Sequence, residues 1–116
     1  MSRRAKQLQP ADLLRLDTPK GRLVYKQQFL RVNIAHTLKK MREVAELTQE
    51  ELAKRALMSQ PEVSRLERAG GWRAPAFSTV ARYADVCGFD LRLVALPRGP
   101  RKRRAAITTS LSPPGV

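Results

Sequence analysis

Two helix-start signals eleven residues apart constrain the fold of this chain more than any other feature. Thr48 and Glu51 form the first signal, Ser59 and Glu62 form the second, and each pair has the S/T-x-x-E spacing of a capping box. In such a box the hydroxyl accepts a hydrogen bond from the amide three residues on, and the carboxylate accepts one from the cap amide. Two starts this close leave room only for two short helices joined by a tight turn.

The apolar residues of these two short helices are spaced to face one side. Ala56 follows Leu52 by four residues and Ala53 by three, and Leu66 follows Val63 by three, which is the spacing of neighbours on a helix surface. The residues expected to face inward are Leu52, Ala53, Ala56, Val63 and Leu66. The polar positions between them therefore point outward.

This segment resembles the helix-turn-helix of the lambda-repressor-like, or XRE, family. The residues that carry the resemblance are Gln49, Ala53, Ser59, Gln60, Val63 and Leu66, and the likeness covers residues 31–96. It implies a DNA-binding protein of mainly α fold, a bundle of about five helices followed by one C-terminal β-strand. The family usually has glycine where Leu57 stands, and left-handed backbone geometry at Leu57 would cost about 1–2 kcal/mol.

Charge divides the chain into three parts. Residues 1–28 carry seven Lys or Arg and two Asp, residues 29–97 carry eleven basic and eight acidic residues, and residues 98–116 carry five basic and no acidic residues. We therefore expect a basic N-terminal arm that is partly helical or disordered, a central domain, and a basic disordered tail. The charge at both ends would raise affinity for phosphate without reading sequence.

Two further helices and a strand are predicted around the central pair. The apolar stripe Ile34, Leu38, Met41 and Ala45 predicts a first helix from about Tyr25 to Glu46. A last helix is expected to turn Phe77, Val80, Ala81 and Ala84 inward and to stop at Gly88.

Residues 90–96 predict a single short strand that Pro97 ends. A lone strand needs a partner for its backbone groups, and a second copy of the chain is the first expectation. The residues expected to pair across this dimer are Leu91, Leu93, Val94 and Leu96.

In a helix-turn-helix, the second helix enters the major groove and the first lies across the DNA backbone. Gln60 can pair with adenine and Arg65 with guanine, and Glu62 and Ser64 also project from the exposed side. The candidate base readers are Gln60, Glu62, Ser64 and Arg65. The candidate phosphate contacts are Gln49, Ser59, Arg42, Lys54, Arg68 and Arg73.

Within the XRE family, the chain is most similar to the HigA-type antitoxins. The segments that suggest this are residues 17–22 with Tyr25, residues 78–83, and residues 91–94 with Pro97. The resemblance implies a homodimer that represses its own operon at a double-stranded DNA operator and neutralises a RelE/HigB-like ribonuclease toxin. The alternative is a stand-alone or phage-type regulator without a toxin. A less favoured hypothesis, from another class of function, is a non-specific nucleic-acid-packaging protein.

Several other functions are not supported by the residues present. Cys87 is the only cysteine and His36 the only histidine, and neither lies in a cluster of metal ligands. No Gly-rich phosphate loop is present. We therefore expect no enzyme activity, no cofactor and no metal site. The sequence also lacks an apolar run long enough to span a bilayer, so we expect a cytoplasmic protein. The resemblance to HigA-type antitoxins implies a bacterial protein that associates with the nucleoid when it is bound to its operator.

Overall fold

The computed structural model describes residues 16–69, 74–99 and 105–115. Over these residues the chain forms four helices and two strands. The helices are α1 (Pro19–Val44), α2 (Gln49–Ala56), α3 (Gln60–Glu67) and α4 (Phe77–Val86), and the strands are β1 (Arg92–Ala95) and β2 (Ile107–Ser110). The fold is therefore mainly helical, as expected, and the fifth helix that we expected is not among the described residues.

Helix α1 begins earlier than predicted and includes part of the expected N-terminal arm. The hydroxyl of Thr18 accepts from the amide of Gly21 at 2.9 Å, and Pro19 occupies the first turn, where its missing amide costs no hydrogen bond. The helix has 26 residues and is about 39 Å long. The helix thus begins at Pro19 rather than at about Tyr25, and residues 1–15 of the proposed arm lie outside the described part.

The core lies between the second half of α1 and the three shorter helices. Its buried members are Leu38, Met41, Leu52, Ala53, Val63, Val80, Tyr83, Ala84 and Cys87, with Ile34, Ala45, Leu66 and Leu91 packed against them. Most of the predicted inward positions are confirmed. Phe77 is an exception, because it is 61% exposed. It is the first residue of α4, and helical side chains lean toward the N-terminus, so its ring extends past the core.

Both predicted capping boxes are present, and the turn between them adopts the left-handed backbone that we considered. Leu57 ends α2 with φ 57° and ψ 46°. Helix α4 ends at Val86, and Gly88, two residues further on, has φ 82°, which confirms the predicted stop signal. Two other helices also end at non-glycine residues of positive φ, Glu46 after α1 and Ala69 after α3. These three positions carry backbone strain that glycine would avoid.

The prediction of a single strand is wrong. Strand β1 pairs antiparallel with β2, with Arg92 opposite Ser110 and Ala95 opposite Ile107. Strand β2 lies in residues 98–116, which we expected to be disordered, so the backbone groups of β1 have a partner within the same chain. The short Ile107–Ser110 segment contains one apolar residue, which is why apolar alternation did not reveal it.

The first half of α1 exposes a large apolar surface. None of residues 22–33 is buried. The large apolar side chains exposed there are Leu23, Val24, Tyr25, Phe29, Leu30 and Val32. They lie on more than one face of the helix, and Tyr25 and Phe29 form a tilted ring pair with centroids 6.3 Å apart.

Candidate nucleic-acid interface

The N-terminus of α3 is built by local hydrogen bonds and carries the candidate base readers. The hydroxyl of Ser59 accepts from the amide of Glu62 at 3.2 Å, and the Glu62 carboxylate accepts from the amide of Ser59 at 2.8 Å. Pro61 occupies the first turn at no hydrogen-bond cost. These contacts fix the direction in which the helix leaves the turn.

The side chains of this helix differ in their exposure and in their hydrogen bonds. Gln60, Glu62 and Arg65 are exposed, whereas Ser64 is half-buried and its hydroxyl accepts from Nε of Arg68 at 3.2 Å. The hydrogen bond from the Ser59 amide lowers the pKa of Glu62, so its carboxylate is charged and engaged in capping. Among the exposed polar side chains of α3, Gln60 and Arg65 are therefore the two that are best suited to contact a base.

A direct hydrogen bond joins the first residue of α3 to the first residue of α2. Nε2 of Gln60 donates to Oε1 of Gln49 at 2.8 Å. An amide has two N–H donors and a carbonyl oxygen, so Gln60 keeps one N–H and its oxygen for another partner. This donor and acceptor are the pair that adenine requires in the major groove. The bridge thus orients Gln60 without using the groups that would read a base.

Glu67, the last residue of α3, joins all four helices. Its carboxylate accepts from Nε and Nη2 of Arg42 at 2.7 and 2.9 Å and from Nε2 of Gln49 at 3.1 Å. It also accepts from the hydroxyl of Tyr83. These contacts come from α1, α2 and α4. We call Glu67, Arg42, Gln49 and Tyr83 the Glu67 cluster.

The electrostatics of the cluster favour a charged Glu67. Burial raises the pKa of Glu67, but hydrogen bonds from Arg42, Tyr83 and Gln49 outweigh that effect and lower the pKa below its ordinary value. Burial, together with the hydrogen bond to Glu67, raises the pKa of Tyr83, so this hydroxyl stays protonated and donates. The charges of Arg42 and Glu67 are therefore paired, as partly buried charges need to be.

Arg42 is engaged by several contacts within the fold. Its guanidinium binds Glu67 through two nitrogens and donates from Nη1 to the carbonyl of Leu47 at 2.8 Å. The side chain is only 13% exposed. Arg42 therefore ties the end of α1 to α3, and its contact with phosphate stays a prediction.

The remaining phosphate candidates lie close to the two helix starts or on the flanking surface. Ser59 and Gln49 stand at the N-termini of α3 and α2, where unpaired backbone amides favour an anion. Lys54 and Arg68 are exposed, Arg68 with its Nε directed to Ser64. Arg73 lies outside the described residues.

Glu67 and Tyr83 were not predicted as members of the site, although their spacing in the sequence carried a signal. Glu67 follows Val63 by four residues and Leu66 by one, so it lies on the inward stripe of α3. Tyr83 follows Val80 by three and is fully buried. A charged residue on an inward stripe requires a partner, and this requirement could have indicated the cluster.

The described residues also bear on metal binding and on membrane insertion. In that part of the chain, no group of three or more His, Cys, Asp or Glu side chains could hold a metal ion. Nor does any helix there have the length and apolarity to cross a membrane.

Comparison with known proteins identifies the domain. A family model described as a helix-turn-helix domain matches residues 33–96, more than half of the chain. No curated protein and no solved structure matches. The matched range agrees with the range of the resemblance inferred from the residues, and it contains α2, α3 and the whole Glu67 cluster. The chain therefore belongs to the helix-turn-helix domain family, which indicates a DNA-binding regulator.

Proposed function

We propose that this protein is a sequence-specific transcriptional repressor that binds a double-stranded DNA operator. The observation that carries the proposal is the pairing of Gln60 with Gln49, which presents an oriented, exposed amide at the start of α3. An amide held in this way can donate to and accept from one adenine edge. Because its orientation exists before DNA binds, less conformational entropy is lost on binding.

The proposed docking follows from the two helices. Helix α3 lies in the major groove with Gln60 and Arg65 against base edges, and α2 crosses the phosphate backbone with Gln49 and Ser59 near phosphates. Lys54 and Arg68 add phosphate contacts without selecting sequence. The basic segments at both ends of the chain raise the affinity for all DNA and increase its dependence on salt.

Selection from a random duplex library tests this proposal. We expect the full-length protein to enrich one sequence and to bind it at least about 10³-fold more tightly than random DNA at physiological salt. Equal binding to all duplexes would contradict sequence-specific reading and would favour the packaging alternative.

We propose a homodimer as the operator-binding form. Two copies related by a two-fold axis would place their α3 helices about 34 Å, or a multiple of it, apart on a palindromic site. The exposed side chains of the hairpin, among them Leu93, Val94 and Leu96, together with the half-buried Leu91, remain the proposed contact surface. A two-stranded hairpin is marginally stable alone in water, so covering it would stabilise it. Sedimentation equilibrium of the wild type tests this, and a monomer at micromolar concentration would contradict it.

We propose further that the repressor is the antitoxin of a type II toxin–antitoxin pair. The short segments that resemble HigA-type antitoxins support this, and so does the apolar surface on the first half of α1, which suits a protein partner. The expected toxin is a RelE/HigB-like ribonuclease encoded by an adjacent gene. Co-expression should restore growth to cells that are arrested by that gene product, and the two proteins should co-purify. Continued arrest would favour a stand-alone or phage-type regulator.

A further inference from the structure

The Glu67 cluster and the Gln49–Gln60 bridge form one continuous chain of hydrogen bonds. It runs from Tyr83 and Arg42 to Glu67, then to Gln49, and ends at Gln60 on the surface. A change at the buried end of this chain can therefore reach the exposed amide of Gln60 without any direct contact with DNA.

Each hydrogen bond in this network has a defined donor and acceptor. An ionised carboxylate only accepts hydrogen bonds, so the NH₂ group of Gln49 has to face Glu67. This leaves Oε1 of Gln49 facing Gln60, and the NH₂ group of Gln60 then has to face Gln49. The hydrogen bonds at 3.1 and 2.8 Å have this order.

We propose that Glu67 is a specificity-determining positioning residue, which sets through Gln49 the direction in which the Gln60 amide meets the DNA bases. A Gln60 amide turned the other way would direct its carbonyl oxygen toward Gln49 and would present both N–H groups to the groove. Such an arrangement lacks the acceptor that adenine N6 requires and suits the acceptors of guanine instead. The buried carboxylate therefore selects adenine over guanine at one base pair.

Arg42 and Tyr83 support this role by holding the carboxylate in place. Arg42 binds both oxygens of Glu67, and the Tyr83 hydroxyl binds Oε2. Oε1 is the oxygen that accepts from Gln49. The lowered pKa of Glu67 agrees with this arrangement, because the carboxylate remains charged and cannot donate to Gln49 at neutral pH. Arg65, on the same helix, has no described hydrogen bond to the cluster and provides an internal comparison.

The inference rests on the proposed function, and the experiment separates the two. Base preferences of the wild type are first measured by library selection, and the Gln60→Ala and Arg65→Ala variants identify the base pair that each residue reads. The base preferences of the Glu67→Gln variant are then measured at the same pH and salt concentration. An amide at position 67 can donate as well as accept, so the direction of Gln49 is no longer imposed.

We expect Glu67→Gln to reduce discrimination between adenine and guanine at the Gln60 base pair by about tenfold. Discrimination at the Arg65 base pair should stay within about twofold of the wild type. The exposed control Glu43→Gln should change neither. Unchanged discrimination at the Gln60 position, or an equal loss at both positions, would overturn the inference, while a wild type without any base preference would overturn the proposed function itself.

A second variant covers the case in which Glu67→Gln fails to fold. Arg42→Met, Glu67→Leu and Tyr83→Phe together remove the buried ion pair and the hydroxyl without leaving an unpaired charge, an exchange that is often neutral for stability. This triple variant leaves Gln49 without its acceptor. It should show the same selective loss at the Gln60 base pair, and a folded triple variant with wild-type preferences would contradict the role of Glu67.

Discussion

Arg42 and Glu67, which are 25 residues apart in the sequence, meet through two hydrogen bonds of 2.7 and 2.9 Å. The pair connects the end of α1 to the end of α3, the helix that carries Gln60 and Arg65. The Glu67 side chain is only 2% exposed, so water competes little for its oxygens. This ion pair therefore couples the stability of the fold to the placement of the proposed base readers.

Glu67→Gln should reduce the free energy of unfolding at neutral pH by about 2–3 kcal/mol, because it removes charge-assisted hydrogen bonds from a buried site. The folded-state pKa of Glu67 is lowered, so its contribution is fully present above the ordinary Glu value of about 4.3 and is lost as pH falls through the lowered pKa. Urea denaturation of both proteins at several pH values measures this. If the difference in the free energy of unfolding stays constant down to strongly acidic pH, the ionised carboxylate of Glu67 is not its source. The exposed Glu43→Gln variant is the control.

Leu57→Gly should stabilise the protein by about 1 kcal/mol. Glycine relieves the left-handed strain at φ 57°, although it also makes the unfolded chain more flexible. Because Leu57 is 83% exposed, little packing is lost. Thermal and urea unfolding measure the gain. Leu57→Ala is the matched control, since alanine loses the same side chain but keeps the strain, and an equal gain from alanine would show that strain is not the cause.

Arg65→Ala should cost about 1–3 kcal/mol on the selected operator and relax the preference at one base pair, because Arg65 is proposed to bind guanine. Lys54→Ala is the comparison on α2. It should weaken binding to all sequences equally and reduce the dependence on salt. Binding titrations on the operator and on single-base variants, at several salt concentrations, distinguish the two. A uniform loss for Arg65→Ala would assign it to phosphate.

The hairpin and the C-terminal basic charges should have separable effects. Replacing Arg101, Lys102, Arg103 and Arg104 with glutamine should flatten the salt dependence of DNA binding and keep the preferred sequence, since these charges add non-specific attraction. A change in the preferred sequence would mean that they read bases.

Thr108→Pro keeps all of these charges and breaks the pairing of β2 with Val94. We expect this variant to dimerise more weakly and to lose affinity for a palindromic operator. Sedimentation equilibrium measures the dimer, and Thr108→Val, which favours a strand, is the matched control. A proline variant with the wild-type dimer affinity would place the dimer contact elsewhere.

Local chemistry explains which elements could be predicted from the residues alone. The capping boxes at Thr48 and Ser59 each involve groups three residues apart, so the sequence contains both partners side by side. The start of α1 at Pro19 was also signalled locally, by Thr18 before a proline. It was missed because the apolar residues of the first half of α1 lie on several faces and obscure the helical stripe.

The amino-acid sequence by itself determined the two short helices, the turn between them and the exposure of Gln60 and Arg65, because their causes lie within a few residues. The tertiary structure decided that Arg42 pairs with Glu67, that Tyr83 reaches the same carboxylate, and that β1 pairs with β2. Those contacts join residues far apart in the chain, and their partners depend on how the helices pack, which local spacing does not specify. The physical reason is that the chemistry of a side chain shows whether it favours burial or needs a partner, whereas the packing of the folded chain decides which partner lies close to it.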